Sequence, residues 1–405
     1  MNNKFEEMKE RESNLLCHTY GRYPLAISRA KGCRLYDLDG VEYLDFLAGI
    51  AVCSLGHSRD DLADVMAVQA RKMVHVSNLF YQEPQLELAE KLLSTCHAGK
   101  VFFCNSGAEA NEGAIKLARR YMHMVRNEDR HEIITLEKSF HGRTLSTLTA
   151  TGQTGPIKDG FNPLPEGFIT VPFGNVNTLR GAVNKHTAAI MIEMVQGEGG
   201  VRPLPTEYVN DITAVCKENG ILLIVDEVQT GLCRTGRVWA HQHYGITPDI
   251  FTSAKALANG LPMGAVLCTD TVARGFEPGS HATTFGGGAV VAAVASKVLD
   301  IMINEKMSER ALELGNFARA EAQKLKDKYP DKIAGTRGLG LLFGIELTFT
   351  GTDVWKALLD NKMVCNLTQG KILRLVPPLT IEEADIIAFM EVLDSILATI
   401  QIESA

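Results

Sequence analysis

Short, nearly continuous apolar segments alternate along residues 101–269 with segments whose apolar residues recur at helical spacing. Apolar segments of this kind predict strands that are buried on both faces, as in a mostly parallel sheet covered by helices. The predicted strands are residues 101–104, 132–136, 168–173, 188–195, 221–228 and 264–269. Between them, residues 109–122 and 206–220 predict helices, the second of which ends at Gly220. The alternation predicts an α/β domain.

The pattern of apolar residues changes after about residue 292. The later segments predict a helix, a strand, a short helix, a strand and a closing helix, at residues 294–328, 340–347, 353–362, 372–376 and after 380. A capping-box sequence that starts at Thr380 predicts the beginning of the closing helix. We therefore expect an N-terminal segment (1–60) that packs with the small domain, a large domain (61–292) and a small α+β domain (293–405).

Composition and charge narrow the class of protein. The 405 residues are 45% hydrophobic and 22% charged, which is typical of a soluble globular protein with a sizeable core. A net charge of −7 provides no basic surface for nucleic acids or acidic membranes. The nine cysteines form no C-x-x-C pair, and no apolar run is long enough to cross a membrane. These features predict a cytoplasmic protein that acts on small molecules, without disulfides or a bound metal.

A lysine and a carboxylate follow two predicted strands. Lys255 lies among small and apolar residues, where lost hydration would lower its pKa and free its amine for Schiff-base chemistry. Taken alone, the residue is better explained as a lysine whose stem packs while its ammonium reaches water. Asp226 and Glu227 follow an apolar run, at the strand edge where ligands bind in open α/β sheets, although a helix N-cap or a surface acid would give the same pattern. Together, Lys255 and the carboxylate predict one pocket.

Two further segments carry candidate binding groups. The small residues Ser106, Gly107 and Ala108 lie between a predicted strand and a helix, where free backbone N–H groups suit a phosphate. The turn matches neither nucleotide-binding glycine motif, and it could be an ordinary strand-to-helix connection. Phe140 and Arg143 offer a ring for stacking and a guanidinium for a carboxylate. In isolation they could be a core phenylalanine and a solvated arginine.

In this order the segments resemble the fold type I, class III pyridoxal-phosphate aminotransferases, and within them the acetylornithine aminotransferase branch. The resemblance covers nearly the whole chain and depends on the order of its motifs. They are LGH, SNLFYQEPQ, FFCNSGAEANE, SFHGRT, QGEGGV, VDEVQTG, SAKALANGLPMGA, HATTFGG, RGLGLLFGIE and LRLVPPLT. The resemblance implies a large domain with a mostly parallel seven-stranded sheet between helices and a smaller α+β domain.

The resemblance also implies pyridoxal 5′-phosphate as the cofactor and gives roles to individual residues. Lys255 would form a Schiff base with the cofactor and then transfer protons, and Asp226 would keep the pyridine nitrogen protonated. The other implied cofactor contacts are Ser106, Gly107 and Ala108 at the phosphate, Phe140 and Val228 at the ring faces, Gln229 at the phenolic oxygen, Glu227 beside Asp226, and Thr284 from the partner subunit. A complete pocket would therefore need a homodimer.

Five residues would bind substrates by the same resemblance. Arg143 would bind the carboxylate of an acylated amino acid, and Arg374 would bind the α-carboxylate of glutamate or 2-oxoglutarate. Thr283, the neighbour of Thr284, would lie at the substrate site. Glu198 would neutralise Arg374 while the amine donor is bound and release it for glutamate, unless the two form a structural salt bridge. Ile50 replaces the tyrosine with which ornithine aminotransferases bind a free α-amino group, which favours an N-acylated donor.

The implied reaction converts N2-acetyl-L-ornithine and 2-oxoglutarate to N-acetyl-L-glutamate 5-semialdehyde and L-glutamate, in arginine biosynthesis. Succinylornithine, succinyldiaminopimelate and other ω-amines such as γ-aminobutyrate stay open as donors, as does a cofactor-binding protein without turnover. One departure from the family pattern concerns Gly288 and Ala289, which replace the usual Asn-Pro. Without the proline, the helix expected there loses a residue with a fixed φ at its start.

Overall fold

The structure, a computed structural model, describes residues 3–401. The α-helices of this part, α1 to α13, are Asn3–Leu15, Ala48–Ala51, Asp60–Lys72, Glu83–Ser94, Gly107–Arg120, Leu145–Ala150, Val176–Ala182, Thr206–Asn219, Asp270–Ala273, Ala289–Asn304, Met307–Lys328, Thr352–Asp360 and Glu383–Thr399. A π-helical turn, Tyr121–Val125, extends α5, and 3₁₀ turns occur at Ala240–His243 and Lys255–Ala258. Within residues 3–401, no helix combines the length and apolar character that a membrane crossing requires.

The strands of the same residues form four sheets. In chain order, β1 to β17 are Ile27–Lys31, Arg34–Asp37, Glu42–Asp45, Lys100–Cys104, Glu132–Leu136, Phe168–Val171, Thr187–Ile192, Val195–Gln196, Arg202–Pro203, Leu222–Asp226, Ile250–Ser253, Gly264–Cys268, Ile333–Leu339, Leu342–Leu347, Met363–Val364, Asn366–Thr368 and Ile372–Leu375. The largest sheet has seven strands in the order β4-β12-β11-β10-β7-β5-β6. Only β12 runs antiparallel to its neighbours in it, which confirms the predicted fold class.

Helices cover both faces of the seven-stranded sheet, which explains the nearly continuous apolar strands. Along β10, Leu222 and Ile224 belong to the hydrophobic core that contains α5, whereas Leu223 and Val225 belong to the core that contains α8. Successive side chains of a strand point to opposite faces, so a strand between two helical layers needs apolar residues at every position. All residues of β7, β10 and β12 are buried accordingly.

The predicted strands of the large domain are all present, most of them with bounds that differ by one to three residues, and one of them is divided in two. The predicted strand 188–195 leaves the sheet after Ile192, and Val195–Gln196 pairs instead with Arg202–Pro203 in a separate hairpin. Between these strands the Glu193 carboxylate accepts a hydrogen bond from the Phe140 backbone N–H at 3.0 Å. The seventh strand, β11, was expected only as the strand-like segment before Lys255.

The C-terminal part is α+β, with a few differences from the sequence expectation. The predicted helix 294–328 is two helices, α10 and α11, separated near Lys306, whose φ is +52°. Strands β13, β14, β17 and β16 form an antiparallel sheet, and neither β13 nor β16 was predicted. A further sheet, β1-β2-β3-β15, pairs the N-terminal strands with β15 of the C-terminal part. The domain boundaries themselves stay predictions.

One predicted helix start is wrong, and a second helix starts at the departure from the family pattern. The Thr380 capping box is wrong, because α13 begins at Glu383 with Glu382 as its N-cap. The Asp385 carboxylate accepts a hydrogen bond from the Glu382 N–H at 3.3 Å. The capping box therefore exists, but it starts two residues after Thr380. At the departure from the family pattern, α10 begins at Ala289 with Gly288 as its N-cap, at a φ of −56°. The helix therefore forms without the proline.

Candidate active site

A cavity of about 380 Å³ lies at the C-terminal ends of β4, β10 and β11. Strand β12 runs antiparallel to both β4 and β11, so these two strands point the same way and end at one edge of the sheet. The cavity contains ten of the predicted site residues, which are Ser106, Gly107, Ala108, Phe140, Arg143, Glu198, Asp226, Val228, Gln229 and Lys255. The edge of an open α/β sheet is the expected position of a ligand site.

Asp226 is the last residue of β10, and three groups fix its carboxylate. Its Oδ2 accepts a hydrogen bond from Asn111 Nδ2 at 2.7 Å and lies 2.8 Å from His141 Nδ1. Its Oδ1 accepts the backbone N–H of Val228 at 3.0 Å. Asn111 is held in turn by Thr252, whose hydroxyl donates to it at 2.7 Å. A buried acid with this many partners has one orientation toward the cavity.

Lys255 opens the 3₁₀ turn that follows β11. Its φ is +44°, a left-handed conformation that costs a non-glycine residue about 1 kcal/mol or more and that often occurs at functional sites. Burial lowers the pKa of its amine to about 8, with Arg374 acting in the same direction and Glu198, Asp226 and Glu193 opposing it. The pKa moves in the direction expected from the sequence. A larger fraction of the amine is therefore neutral near physiological pH than in an ordinary lysine.

The start of α5 forms a cradle beside the cavity. Ser106 is the N-cap, with its hydroxyl accepting the Glu109 N–H at 3.1 Å, and Gly107 is the first helical residue. A Cβ on Gly107 would lie 2.7 Å from Val228 Cγ1, so only glycine allows this close approach. Free N–H groups at a helix start, without a side chain in front of them, suit the oxygens of a phosphate.

Glu198 and Arg374 form an ion pair at the cavity wall. Arg374 Nη1 donates to Glu198 Oε1, and Gln229 lies beside the pair with its Oε1 3.4 Å from the same nitrogen. Burial raises the pKa of Glu198, but Arg374 and then Lys255 outweigh it and hold the pKa below its usual value. Arg374 is buried behind the wall, while Glu198 lines the cavity. The carboxylate therefore separates the guanidinium from the cavity.

Glu227 does not line the cavity with Asp226, although it was predicted as a cofactor contact. Its Oε1 accepts the His241 backbone N–H at 2.8 Å, and its Oε2 accepts the Thr230 hydroxyl at 2.6 Å. Adjacent residues of extended chain face opposite ways, so Glu227 points into the protein when Asp226 faces the cavity. This geometry gives no support to a cofactor contact by Glu227.

Three other predicted residues also lie outside the cavity of their own chain. Thr283 and Thr284 line a surface depression with Ser77 and Leu79, and Thr283 reaches toward the cavity only through its hydroxyl, which accepts Asn105 Nδ2 at 3.2 Å. Ile50 is 42% exposed, and its neighbour Val52 lines the cavity instead. Because Thr284 does not line the cavity of its own chain, its position is compatible with the predicted role in the site of a partner subunit.

Sequence reasoning did not identify three residues that the structure brings to this site. Asn111 lies one helical turn after Gly107, a spacing that could have revealed it. His141 contacts Asp226 through Nδ1, and its Nε2 has no partner among residues 3–401. Glu193 lines the cavity with a pKa raised by burial and then by Asp226. Glu193 is an acid inside the predicted apolar strand 188–195, and this could have marked it as a site residue.

Comparisons with known proteins agree with this arrangement. The model of the family "Aminotransferase class-III" matches residues 17–397. An acetylornithine aminotransferase of Methanocaldococcus jannaschii is 43% identical over 382 residues, 94% of this chain and 96% of the relative. One of Nostoc sp. is 43% identical over 392 residues, 94% and 91% of the two chains.

Solved structures give the same result for the fold. The ornithine aminotransferase from Toxoplasma gondii ME49 has a TM-score of 0.93 at 30% identity, covering 97% of this chain and 95% of the other. The acetylornithine aminotransferase from Elizabethkingia anophelis has a TM-score of 0.86 at 32% identity, covering 98% and 99%. In both cases the likeness extends over nearly the whole of each chain.

Proposed function

The chain belongs to the class-III aminotransferases, and we propose that it is an acetylornithine aminotransferase with pyridoxal 5′-phosphate as its cofactor. It would convert N2-acetyl-L-ornithine and 2-oxoglutarate to N-acetyl-L-glutamate 5-semialdehyde and L-glutamate. The observation that supports this most strongly is one cavity lined by Lys255, Asp226 and Glu198, with Arg374 paired to Glu198, in a chain 43% identical to a relative with that name. A place in arginine biosynthesis and a cytoplasmic location are parts of the same proposal.

The residues of the cavity fit the proposed cofactor. The start of α5, where Gly107 leaves the backbone uncovered, would hold the phosphate together with Ser106. Phe140 and Val228 line the cavity and would contact the ring, and Asp226 would pair with its nitrogen. When bound, this group supplies an aldehyde that reacts with amines and a ring that accepts electrons from the substrate carbon.

Lys255 is suited to hold and move a proton. A pKa of about 8 lets the amine accept a proton and return it near neutral pH, which is the condition for an efficient general acid and base. Asn111 and His141 hold the Asp226 carboxylate in one place. The two residues would divide the work, with Lys255 transferring protons and Asp226 stabilising a positive charge on the ring.

Two arginines would distinguish the substrates. Arg143 is exposed at the cavity and would bind the carboxylate of the acylated donor. Arg374 would bind the α-carboxylate of glutamate or 2-oxoglutarate once Glu198 moves aside, because a buried guanidinium needs a negative partner at each stage. One pocket would then accept two dissimilar substrates in turn.

A homodimer would complete the site. Thr284 lies outside the cavity of its own chain, near exposed apolar side chains, which include Leu79, Phe80, Tyr81 and Phe285. A group of exposed aromatic and aliphatic residues of this kind is typical of a protein interface. We place Thr284 of the partner subunit at the cofactor phosphate, with Thr283 beside the substrate.

The half-reactions test the proposed function directly. N-acetylornithine should change the visible absorbance of the cofactor-loaded enzyme, and 2-oxoglutarate should restore it. Comparing kcat/KM for N-acetylornithine, succinylornithine, succinyldiaminopimelate and γ-aminobutyrate identifies the donor. Lys255→Ala, as the control, should bind the cofactor non-covalently and lose nearly all turnover. A wild-type spectrum that stays unchanged with both compounds would exclude the function and favour a cofactor-binding protein without turnover.

A further inference from the structure

A second cavity, of about 520 Å³, adjoins the loop of residues 197–201. Gly199 lines it, whereas the adjacent Glu198 lines the cavity that contains Lys255, and the two cavities share no lining residue. Four basic side chains and one acidic side chain surround the second cavity, which we call the basic cavity; they are Lys138, Arg202, Arg337, Lys371 and Glu346. The proposed function uses none of them.

The single carboxylate of the basic cavity is already occupied by two cations. Glu346 forms ion pairs with Arg337 Nη1 and, at 3.0 Å, with Lys371 Nζ. Arg337 also donates through Nε to the Gly200 carbonyl at 2.9 Å. These contacts fix one side of the cavity and leave no acid on its wall for the remaining two cations.

Arg202 and Lys138 supply the unneutralised charge. The half-buried Arg202 guanidinium lies over the Phe173 ring, 3.9 Å from its centroid, and makes no side-chain hydrogen bond or ion pair within residues 3–401. Burial and then the nearby Arg337 lower the pKa of Arg202, opposed by Glu137 and Glu346. Lys138 is exposed, and in the same part of the chain its Nζ has no acceptor either. Two cations thus face one space without a counter-charge in contact.

We propose that the basic cavity binds a small, multiply charged phosphate-type oxyanion such as pyrophosphate. Four cations and one carboxylate leave a net charge of +3 on its lining side chains. An arginine held over an aromatic ring presents its N–H groups in the fixed fork that matches phosphate oxygens. A basic surface that only faces water would have mobile side chains, whereas Arg202 is stacked on Phe173 and partly removed from solvent.

The bound anion would lie against the loop that carries Glu198 without entering the active-site cavity. Gln369, which lines the basic cavity, donates through Nε2 to the Glu198 carbonyl at 3.0 Å. Arg337 holds the next part of that loop through Gly200. The binding site itself does not depend on the proposed function, because no residue of the Lys255 cavity contributes to it.

Titration calorimetry of the cofactor-saturated enzyme with inorganic pyrophosphate tests the proposal. Saturation with the cofactor keeps the start of α5 occupied, so that heat reports on another site. We expect one saturable site per chain whose affinity falls as the salt concentration rises. The double variant Arg202→Gln/Lys138→Gln should bind at least about tenfold more weakly, since two charge-assisted contacts are lost.

The matched control is Arg180→Gln, which removes an exposed arginine paired with Glu218 at 2.6 Å outside the cavity and should leave binding unchanged. The double variant should also keep the wild-type kcat without pyrophosphate, which shows that the fold is intact. If the double variant misfolds, Lys138→Gln alone should still fold, because Lys138 is exposed. It should also bind pyrophosphate more weakly, because one cation of the cavity is lost. Absence of saturable binding at millimolar pyrophosphate, or equal binding by wild-type enzyme and a folded Lys138→Gln variant, would overturn the proposal, whatever the transamination assays give.

Discussion

Single residues in the active-site cavity differ in charge because their neighbours differ. Burial lowers the pKa of Lys255 and raises that of Glu193, to which Asp226 adds. The pKa of Glu198 is lowered, because Arg374 and Lys255 together outweigh its burial. When the pKa values of two neighbouring groups move in opposite directions, one group can hold a proton while the other accepts one. The cavity therefore provides both a proton acceptor and fixed negative charge within a small space.

The ionisation of Lys255 can be measured without the cofactor. In the cofactor-free chain, acetylation of its amine by acetic anhydride should rise with pH through a midpoint near 8, because only the neutral amine reacts. An ordinary lysine titrates at about 10.4. Mass spectrometry of the labelled peptide as a function of pH gives the midpoint.

Glu198→Gln provides the charge control for this measurement. Glu198 is the largest of the charges that raise the pKa of Lys255, so its removal should move the labelling midpoint to lower pH. A wild-type midpoint close to that of free lysine, or a midpoint that moves upward in the variant, would show that burial and Glu198 do not control this amine.

At the scale of elements, strand direction brings the site together. The start of α5 after β4, Asp226 at the end of β10 and Lys255 after β11 are far apart in sequence, but all lie at the same edge of the sheet. Packing between these elements is tight where α5 begins, since Gly107 meets Val228 without space for a methyl group. The contact sets the distance between the helix start and the carboxylate strand.

Gly107→Ala tests that contact. The added Cβ would lie 2.7 Å from Val228 Cγ1, and overpacking of this kind costs about 1–3 kcal/mol. We expect the dissociation constant of pyridoxal 5′-phosphate, measured by absorbance titration, to rise about tenfold. Gly181→Ala in α7 is the control, because its Cβ would meet no heavy atom within 4 Å and affinity should not change. Wild-type affinity in Gly107→Ala would contradict the assigned cradle.

At the scale of the whole molecule, one buried arginine joins distant parts of the chain. Arg234 donates through Nη1 to the carbonyls of Leu341 and Pro377, at 3.1 and 2.5 Å, and through Nη2 to the Ser54 hydroxyl at 3.0 Å. Burial lowers its pKa to about 9. These bonds connect the N-terminal segment and the C-terminal part to the loop after β10, and thereby fix both around the active site.

Arg234→Met should therefore destabilise the fold. The change removes three hydrogen bonds and leaves buried acceptors without donors, a loss of about 2–4 kcal/mol in the free energy of unfolding. Urea denaturation followed by circular dichroism measures the loss. Arg180→Met removes only an exposed ion pair with Glu218, and its stability should stay within about 0.5 kcal/mol of wild type. Equal stability of the two variants would refute the bridging role of Arg234.

Mixed dimers test whether two chains build each site. Chains with Lys255→Ala and chains with Thr284→Ala should each have low activity alone, yet regain activity when coexpressed. In a mixed dimer one site combines Lys255 of one chain with Thr284 of the other, which gives about a quarter of the wild-type activity after random pairing.

The control for complementation pairs Lys255→Ala with Asp226→Asn, two residues that line the same cavity of one chain. No mixed dimer of these two variants contains an intact site, so activity should stay low. If the Thr284→Ala mixture gained no more activity than this control, the assignment of Thr284 to the partner's site would be wrong.

The sequence by itself determined the main features of this protein, because they follow from local patterns. Continuous apolar segments predict buried strands of a parallel sheet, and they do so wherever a strand lies between two helical layers. The sequence predicted that Lys255 and Asp226 share one pocket because each follows such a strand. The carboxyl ends of parallel strands lie at the same edge of a sheet, where ligands bind. Gly220 ends α8 in the left-handed conformation that glycine favours, as expected.

Only the tertiary structure decided which way side chains face and what they touch. Glu227 turns away from Asp226 because His241 and Thr230 bind it, and Glu193 leaves its predicted strand to line the cavity. Asn111 contacts Asp226 across 115 positions of the chain. Such contacts join residues distant in sequence, and their geometry depends on how whole elements pack. A local pattern predicts an element and its buried face, but not the partner that another element brings to it.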